Sequence, residues 1–136
     1  METISKNSVH LEAAFSTEPE QLYELLTNGA KFGNVTGMPG KGGGTQGAYF
    51  SLFGDFITGR QIELIPNERI VQAWRMMDWE EGTYSIVQFS LTKEGNETKL
   101  LIDHYGYPER HHEHISTNWE PFYLAPFSKH FEGSLV

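Results

Sequence analysis

From Ile115 to Phe131, the residues Ile115, Trp119, Phe122, Tyr123, Phe127 and Phe131 follow one another at steps of 4, 3, 1, 4 and 4. That spacing lines up side chains along one face of a helix. Five of the six are aromatic, and a stripe that bulky is stable only against a broad apolar surface, which the rest of the chain must supply. The helical period begins near Glu109. Pro121 and Pro126 lie inside it, and each removes an intrahelical hydrogen bond, so a kink or an early break is expected.

What precedes the helix is strand-like. Residues 8–15 alternate, with Val9, Leu11, Ala13 and Phe15 on one face and Ser8, His10, Glu12 and Ala14 on the other, the pattern of a half-buried strand. Five more short units occupy residues 48–53, 56–65, 70–77, 83–92 and 98–105. Between them stand turn-forming clusters such as Gly54-Asp55, Pro66-Asn67-Glu68 and Lys93-Glu94-Gly95-Asn96, whose lengths suit hairpins. The result is an antiparallel meander whose concave face can cover the aromatic helix. The expected fold is α+β, a curved antiparallel sheet of six to seven strands wrapped around a long C-terminal helix, in one domain over residues 1–136.

Between the first strand and the meander, Thr17-Glu18-Pro19-Glu20 reads as a capping box. Leu22, Leu25 and Leu26 then give a short one-sided helix, with Gly29 as its stop and a second short turn running through Phe32. Eight of the fourteen glycines fall in residues 29–47, which reads as a mobile loop.

Composition removes several classes of function. With no Cys, disulfide scaffolds, thiolate metal sites and Cys nucleophiles are excluded. A formal charge of −8 argues against nucleic acid and anionic membrane surfaces as partners. No apolar run reaches membrane-spanning length, and the first residues lack a signal-peptide pattern, so a cytoplasmic protein is expected.

Three motifs suggest chemistry and do not sustain it. Gly42-Gly43-Gly44-Thr45-Gln46-Gly47 is a literal GxGxxG, but a strand follows it where a dinucleotide site requires a helix. His111, His112 and His114, with Glu109 and Glu113, lack the spacing of a metal site, so no metal and no cofactor is expected. Asp103 and His104 are neighbours on a strand and point to opposite faces, which rules out a triad through that pair. His104 shares the inward face with Leu100 and Ile102, where it is either a satisfied core histidine or a polar anchor for a ligand beside Tyr123.

The segment Asn67-Glu68-Arg69-Ile70-Val71-Gln72-Ala73-Trp74-Arg75, followed by Asp78-Trp79-Glu80-Glu81-Gly82-Thr83-Tyr84-Ser85, resembles a signature of the family of activators of the ninety-kilodalton heat-shock-protein ATPase. The resemblance continues through His104-Tyr105-Gly106-Tyr107-Pro108, Asn118-Trp119-Glu120-Pro121-Phe122-Tyr123 and Pro126-Phe127-Ser128-Lys129. It covers nearly the whole chain, and Asn118 stands where the family usually has Gly. It implies the START-like helix-grip fold of the SRPBCC superfamily, with a cavity between sheet and helix.

Three functions are then open. The first is a non-catalytic binding module whose cavity takes a small apolar or aromatic ligand, lined by Phe32, Trp74, Met76, Phe89, Ile102, His104, Trp119 and Tyr123, with Phe32 and the glycine-rich loop near the entrance. The second, implied by the resemblance, is a co-chaperone-like domain of the stress response that modulates a heat-shock-protein ATPase. The third is a cavity enzyme of cyclase or hydrolase type. A homodimer through an exposed sheet edge or through the aromatic tail at Phe131-Glu132-Gly133 is a further expectation.

Overall fold

The computed structural model describes residues 7–132, and both the N-terminal residues 1–6 and Gly133 lie outside them. Seven strands form one antiparallel sheet: β1 (Ser8–Phe15), β2 (Lys41–Gly42), β3 (Tyr49–Leu52), β4 (Ile57–Ile65), β5 (Arg69–Met76), β6 (Ser85–Glu94) and β7 (Glu97–Tyr105). Their order across the sheet is β1-β7-β6-β5-β4-β3-β2, so β3 to β7 are the expected meander. β1 closes one side against β7, with Leu11 opposite Ile102. The sheet is curved, and the C-terminal helix lies in its grip.

Strand placement follows the side-chain period. Ile70, Gln72, Trp74 and Met76 of β5, and Val87, Phe89 and Leu91 of β6, are buried, and the residues between them are more exposed. On β4 the alternation breaks at a bulge between Gln61 and Glu63, which leaves Ile62 exposed.

Two short helices cross between β1 and β2: α1 (Pro19–Thr27) and α2 (Gly29–Thr36). The capping box does not form. Pro19 occupies the first helical position behind Glu18, while the Thr17 N–H donates back to the Phe15 carbonyl at 2.8 Å and the Thr17 carbonyl accepts from the Thr98 hydroxyl at 2.8 Å. Thr17 is therefore committed to the turn out of β1. Two inward glutamines hold the end of α1. Gln61 Nε2 donates to the Thr27 carbonyl at 3.1 Å, and Gln72 Nε2 donates to the Leu26 carbonyl and to Gln61 Oε1, both at 3.0 Å. These bonds satisfy carbonyls that a helix terminus leaves without partners.

The glycine-rich stretch is structured, contrary to the expected mobile loop. α2 and β2 lie within it, and Gly29 opens α2 instead of stopping α1. Its glycines permit backbone contact: a Cβ on Gly29 would stand 2.3 Å from the Lys41 carbonyl oxygen, and one on Gly43 would stand 2.2 Å from that of Thr27. No side chain fits at either place.

The C-terminal helix starts as a 3₁₀ turn (Glu109–His111), continues as α3 (His112–Trp119), widens into a π turn (Glu120–Leu124) and ends as α4 (Ala125–Glu132). The prolines do not break it. In the π turn the Ala125 N–H reaches the Glu120 carbonyl, five residues back, so the helix continues around residues that cannot donate. The widened turn changes which side chains face inward. Tyr123 and Leu124 are buried while Phe122, expected on the inward stripe, is 53% exposed.

Candidate functional site

Directly under the helix the space is filled. Trp74 of β5 stacks on Trp119 of α3 with ring centres 5.5 Å apart, and Trp119 lies 4.3 Å from Tyr123. Phe89 meets Trp119 edge-on at 6.2 Å. Phe32 is buried against Phe53, Tyr123 and Phe127, behind the entrance where it was expected, and Ile102 is fully buried.

His104 is embedded in this packing. The Trp119 indole N–H donates to His104 Nδ1 at 3.2 Å, and His104 Nε2 lies 2.8 Å from the Ser85 hydroxyl. Because Nδ1 accepts, the neutral ring carries its proton on Nε2 and donates to Ser85. Burial disfavours the charged form and pushes the imidazole down to about 3. Both ring nitrogens are engaged by the protein, so the geometry makes His104 a core histidine.

An apolar groove lies at one flank of the helix. It measures about 260 Å³ and is lined by Met38, Phe53, Phe56, Ile57, Met76, His114, Ile115, Asn118, Trp119, Phe122 and Tyr123. Of the eight residues expected to line a cavity, Met76, Trp119 and Tyr123 reach it. Phe32, Trp74, Phe89, Ile102 and His104 are not among its lining residues. Two rows of the helix define one wall: His114, Asn118 and Phe122, and beside them Ile115, Trp119 and Tyr123, each at steps of four. The opposite wall is the β3–β4 hairpin, where Phe53 has φ 53°, an unusual conformation for a bulky residue. Its ring packs edge-on against Tyr123 at 5.5 Å and Phe32 at 5.7 Å.

Among the described residues no Asp, Glu, Lys or Arg lines the groove. Its polar groups are Asn118, His114 and the Tyr123 hydroxyl, which burial holds far above the usual phenol range, so Tyr123 is a neutral hydrogen-bonding group. Met38 and Phe122 stand exposed at 48% and 53%. The arrangement suits uncharged, largely apolar matter.

The histidine cluster is divided among three tasks. His111 stacks on Trp79 at 5.2 Å, His112 accepts from or donates to the Tyr107 hydroxyl through Nδ1 at 2.8 Å, and His114 faces the groove. His111 titrates below the usual imidazole range because it is desolvated and stands beside Arg110. Among the described residues no three His, Asp or Glu side chains converge as a metal site, and no helix is long and apolar enough to cross a membrane.

A seven-stranded antiparallel sheet curved around a C-terminal helix, with short helices after its first strand, is the helix-grip fold. The family described as activator of Hsp90 ATPase homolog 1-like protein matches residues 16–132, and the chain belongs to that family. It is 25% identical over 123 residues to the human activator of 90 kDa heat shock protein ATPase homolog 1, covering 90% of this chain and 36% of that protein. The mouse homolog 2 is 28% identical over 125 residues, covering 92% and 36%. The chain thus spans about a third of the length of these relatives. Among solved structures, an HSP90 activator from Plasmodium falciparum superposes with a TM-score of 0.80 at 25% identity, over 88% of this chain and 91% of that one. An Aha1 dimer from Colwellia psychrerythraea shares the fold, with a TM-score of 0.78 at 20% identity over 93% and 98%.

Proposed function

We propose that this chain is a non-catalytic binding module of co-chaperone type, that its partner is an ATP-driven chaperone of the ninety-kilodalton class, and that the groove between the C-terminal helix and the β3–β4 hairpin receives an apolar segment of that partner. The observation that carries this reading is the filled interior. With Trp74, Trp119, Tyr123 and His104 packed together, the apolar space beside the helix is an open groove with Phe122 and Met38 exposed at it, a form suited to an inserted side chain. The family supports the choice of partner, as does a solved relative of similar length that is an HSP90 activator. A cytoplasmic location goes with that partner.

The test is the ATPase rate of the source organism's own chaperone of this class, measured with excess wild-type protein and with Phe122→Asp. Wild type should change the rate, and the variant should lose at least about tenfold in apparent affinity, as expected for a central aromatic anchor. Wild-type protein that neither binds the chaperone nor changes its rate would overturn the reading.

A small neutral ligand in the same groove is the second reading, favoured by Asn118 and Tyr123, polar residues set among the apolar side chains that line it. Native mass spectrometry before and after denaturation tests it, since a ligand would appear as releasable mass. A second copy of the chain is a further proposed partner, through a different surface.

A further inference from the structure

The two edges of the sheet are built differently. On one side β2 is a two-residue strand, Lys41–Gly42, and the bridge from Gly43 to Asn28 ties the chain back to the helices. On the other, β1 pairs with β7 through an unbroken register from Ser8 opposite Tyr105 to Phe15 opposite Thr98, and no strand lies on its outer side among the described residues. An edge of this kind presents a row of backbone donors and acceptors ready to pair, and proteins usually blunt it with lysine, proline, a bulge or an inward charge. β1, reading SVHLEAAF, carries none of these. Its inward residues Val9, Leu11 and Ala13 are apolar and only partly covered.

We propose that β1 pairs antiparallel with β1 of a second copy of this chain, about a two-fold axis through Leu11, joining the two sheets into one. The sequence of the strand selects this register. Residues directly opposite in an antiparallel pair point to the same face, so inward residues must meet inward residues. Three registers keep this rule and overlap well, centred on His10, Leu11 or Glu12. Centring on Glu12 sets two carboxylates opposite each other, and centring on His10 sets two imidazoles opposite, both unfavourable. Centring on Leu11 places His10 opposite Glu12 of the second copy, and by symmetry does so twice. On the inner face Leu11 then meets its own copy, and Val9 meets Ala13.

The charges around the axis fit this arrangement. His10 Nδ1 is 2.6 Å from Asp103 and Nε2 is 3.1 Å from Glu12, while Lys99 lies 3.2 Å from Glu12. Hydrogen bonds to Asp103 and Glu12 raise the proton affinity of His10, and its protonated form makes the four-residue cluster neutral in each copy. His10 and Glu12 are about half exposed, so the cluster lies at the surface where a second copy would meet it.

The test uses sedimentation velocity over a concentration series. Wild type should dimerise, and Glu12→Lys and His10→Glu should each lose at least about tenfold in self-association, because each sets like charges opposite one another. An equimolar mixture of the two variants should recover a dimer, since Lys then faces Glu and His10 faces Glu12. Loss of a merely structural contact would not be rescued this way. A second readout does not depend on those charges. The chain has no Cys, so Leu11→Cys should cross-link across the axis under mild oxidation much faster than Ala13→Cys, which faces Val9. A wild-type monomer at every concentration, unimpaired single variants, a mixture that stays monomeric, or equal cross-linking at both positions would each overturn the proposal. The groove reading is untouched by any of these outcomes.

Discussion

Replacing His104 by Gln isolates what a buried, neutral histidine does to stability. An exposed imidazole in the unfolded chain titrates near 6.5, whereas in the folded protein burial takes His104 down to about 3. The folded value is the depressed one, so between these limits the unfolded state binds the extra proton and stability falls as pH falls. The contribution is whole above about pH 6.5 and lost progressively below it, at about 1.36 kcal/mol per pH unit. Over two pH units the wild type should lose about 2.7 kcal/mol through this residue alone. Glutamine is close in shape and can accept from the Trp119 indole with its oxygen and donate to Ser85 with its amide, but it does not titrate. The experiment is urea unfolding followed by tryptophan fluorescence, from pH 7.5 to 4.5, on both proteins. Other groups titrate alike in the two and cancel in the difference. The wild-type curve should fall away from the variant below pH 6.5 with a slope of about one proton. Parallel curves throughout would refute the account of His104 as a desolvated neutral ring.

Three further outcomes follow from the packing. Trp119→Ala should cost about 3–5 kcal/mol in the same unfolding assay, because it removes a buried ring stacked on Trp74 and Tyr123. Gln72→Leu should cost about 2–4 kcal/mol, since it strands the Trp74 indole N–H, Gln61 Oε1 and the Leu26 carbonyl together. Gly43→Ala should lower the melting temperature by several degrees, as its Cβ would meet the Thr27 carbonyl at 2.2 Å from a residue with φ +82°.

The sheet was legible because its signals are local. Period-two alternation in Ile70, Gln72, Trp74 and Met76, and turn chemistry at Pro66-Asn67-Glu68 and Gly95-Asn96, act within a few residues and survive any tertiary context. The capping box failed because the helix starts one residue later, with Glu18 ahead of Pro19, and the Thr17 N–H it needed is taken by the Phe15 carbonyl. The glycines of residues 29–47 were misread for another reason. Composition shows that a glycine is present, whereas the Lys41 backbone that excludes a side chain at Gly29 is visible only in the fold. Phe122 was assigned to the buried stripe by carrying one helical period across Pro121, and the π turn changes the period there.

The groove residues were partly accessible to the same reasoning. Ile115, Trp119 and Tyr123 form one row at steps of four, and His114, Asn118 and Phe122 form the adjoining, more polar row at the edge of the apolar stripe. Met38, Phe53, Phe56 and Ile57 carry no such signal, because they reach the groove through the α2–β2 connection and the β3–β4 hairpin. Whether a helix-grip interior holds space or side chains turns on the bulk at the grip itself. Here two tryptophans, a tyrosine and a histidine meet there, with Trp74 tied to Gln72 and Trp119 to His104 by their indole N–H groups. Fixed at both ends, these rings cannot swing aside cheaply. On the proposed reading a partner's apolar segment would meet the flank, where Phe122 is exposed, and the packed interior would hold that flank rigid.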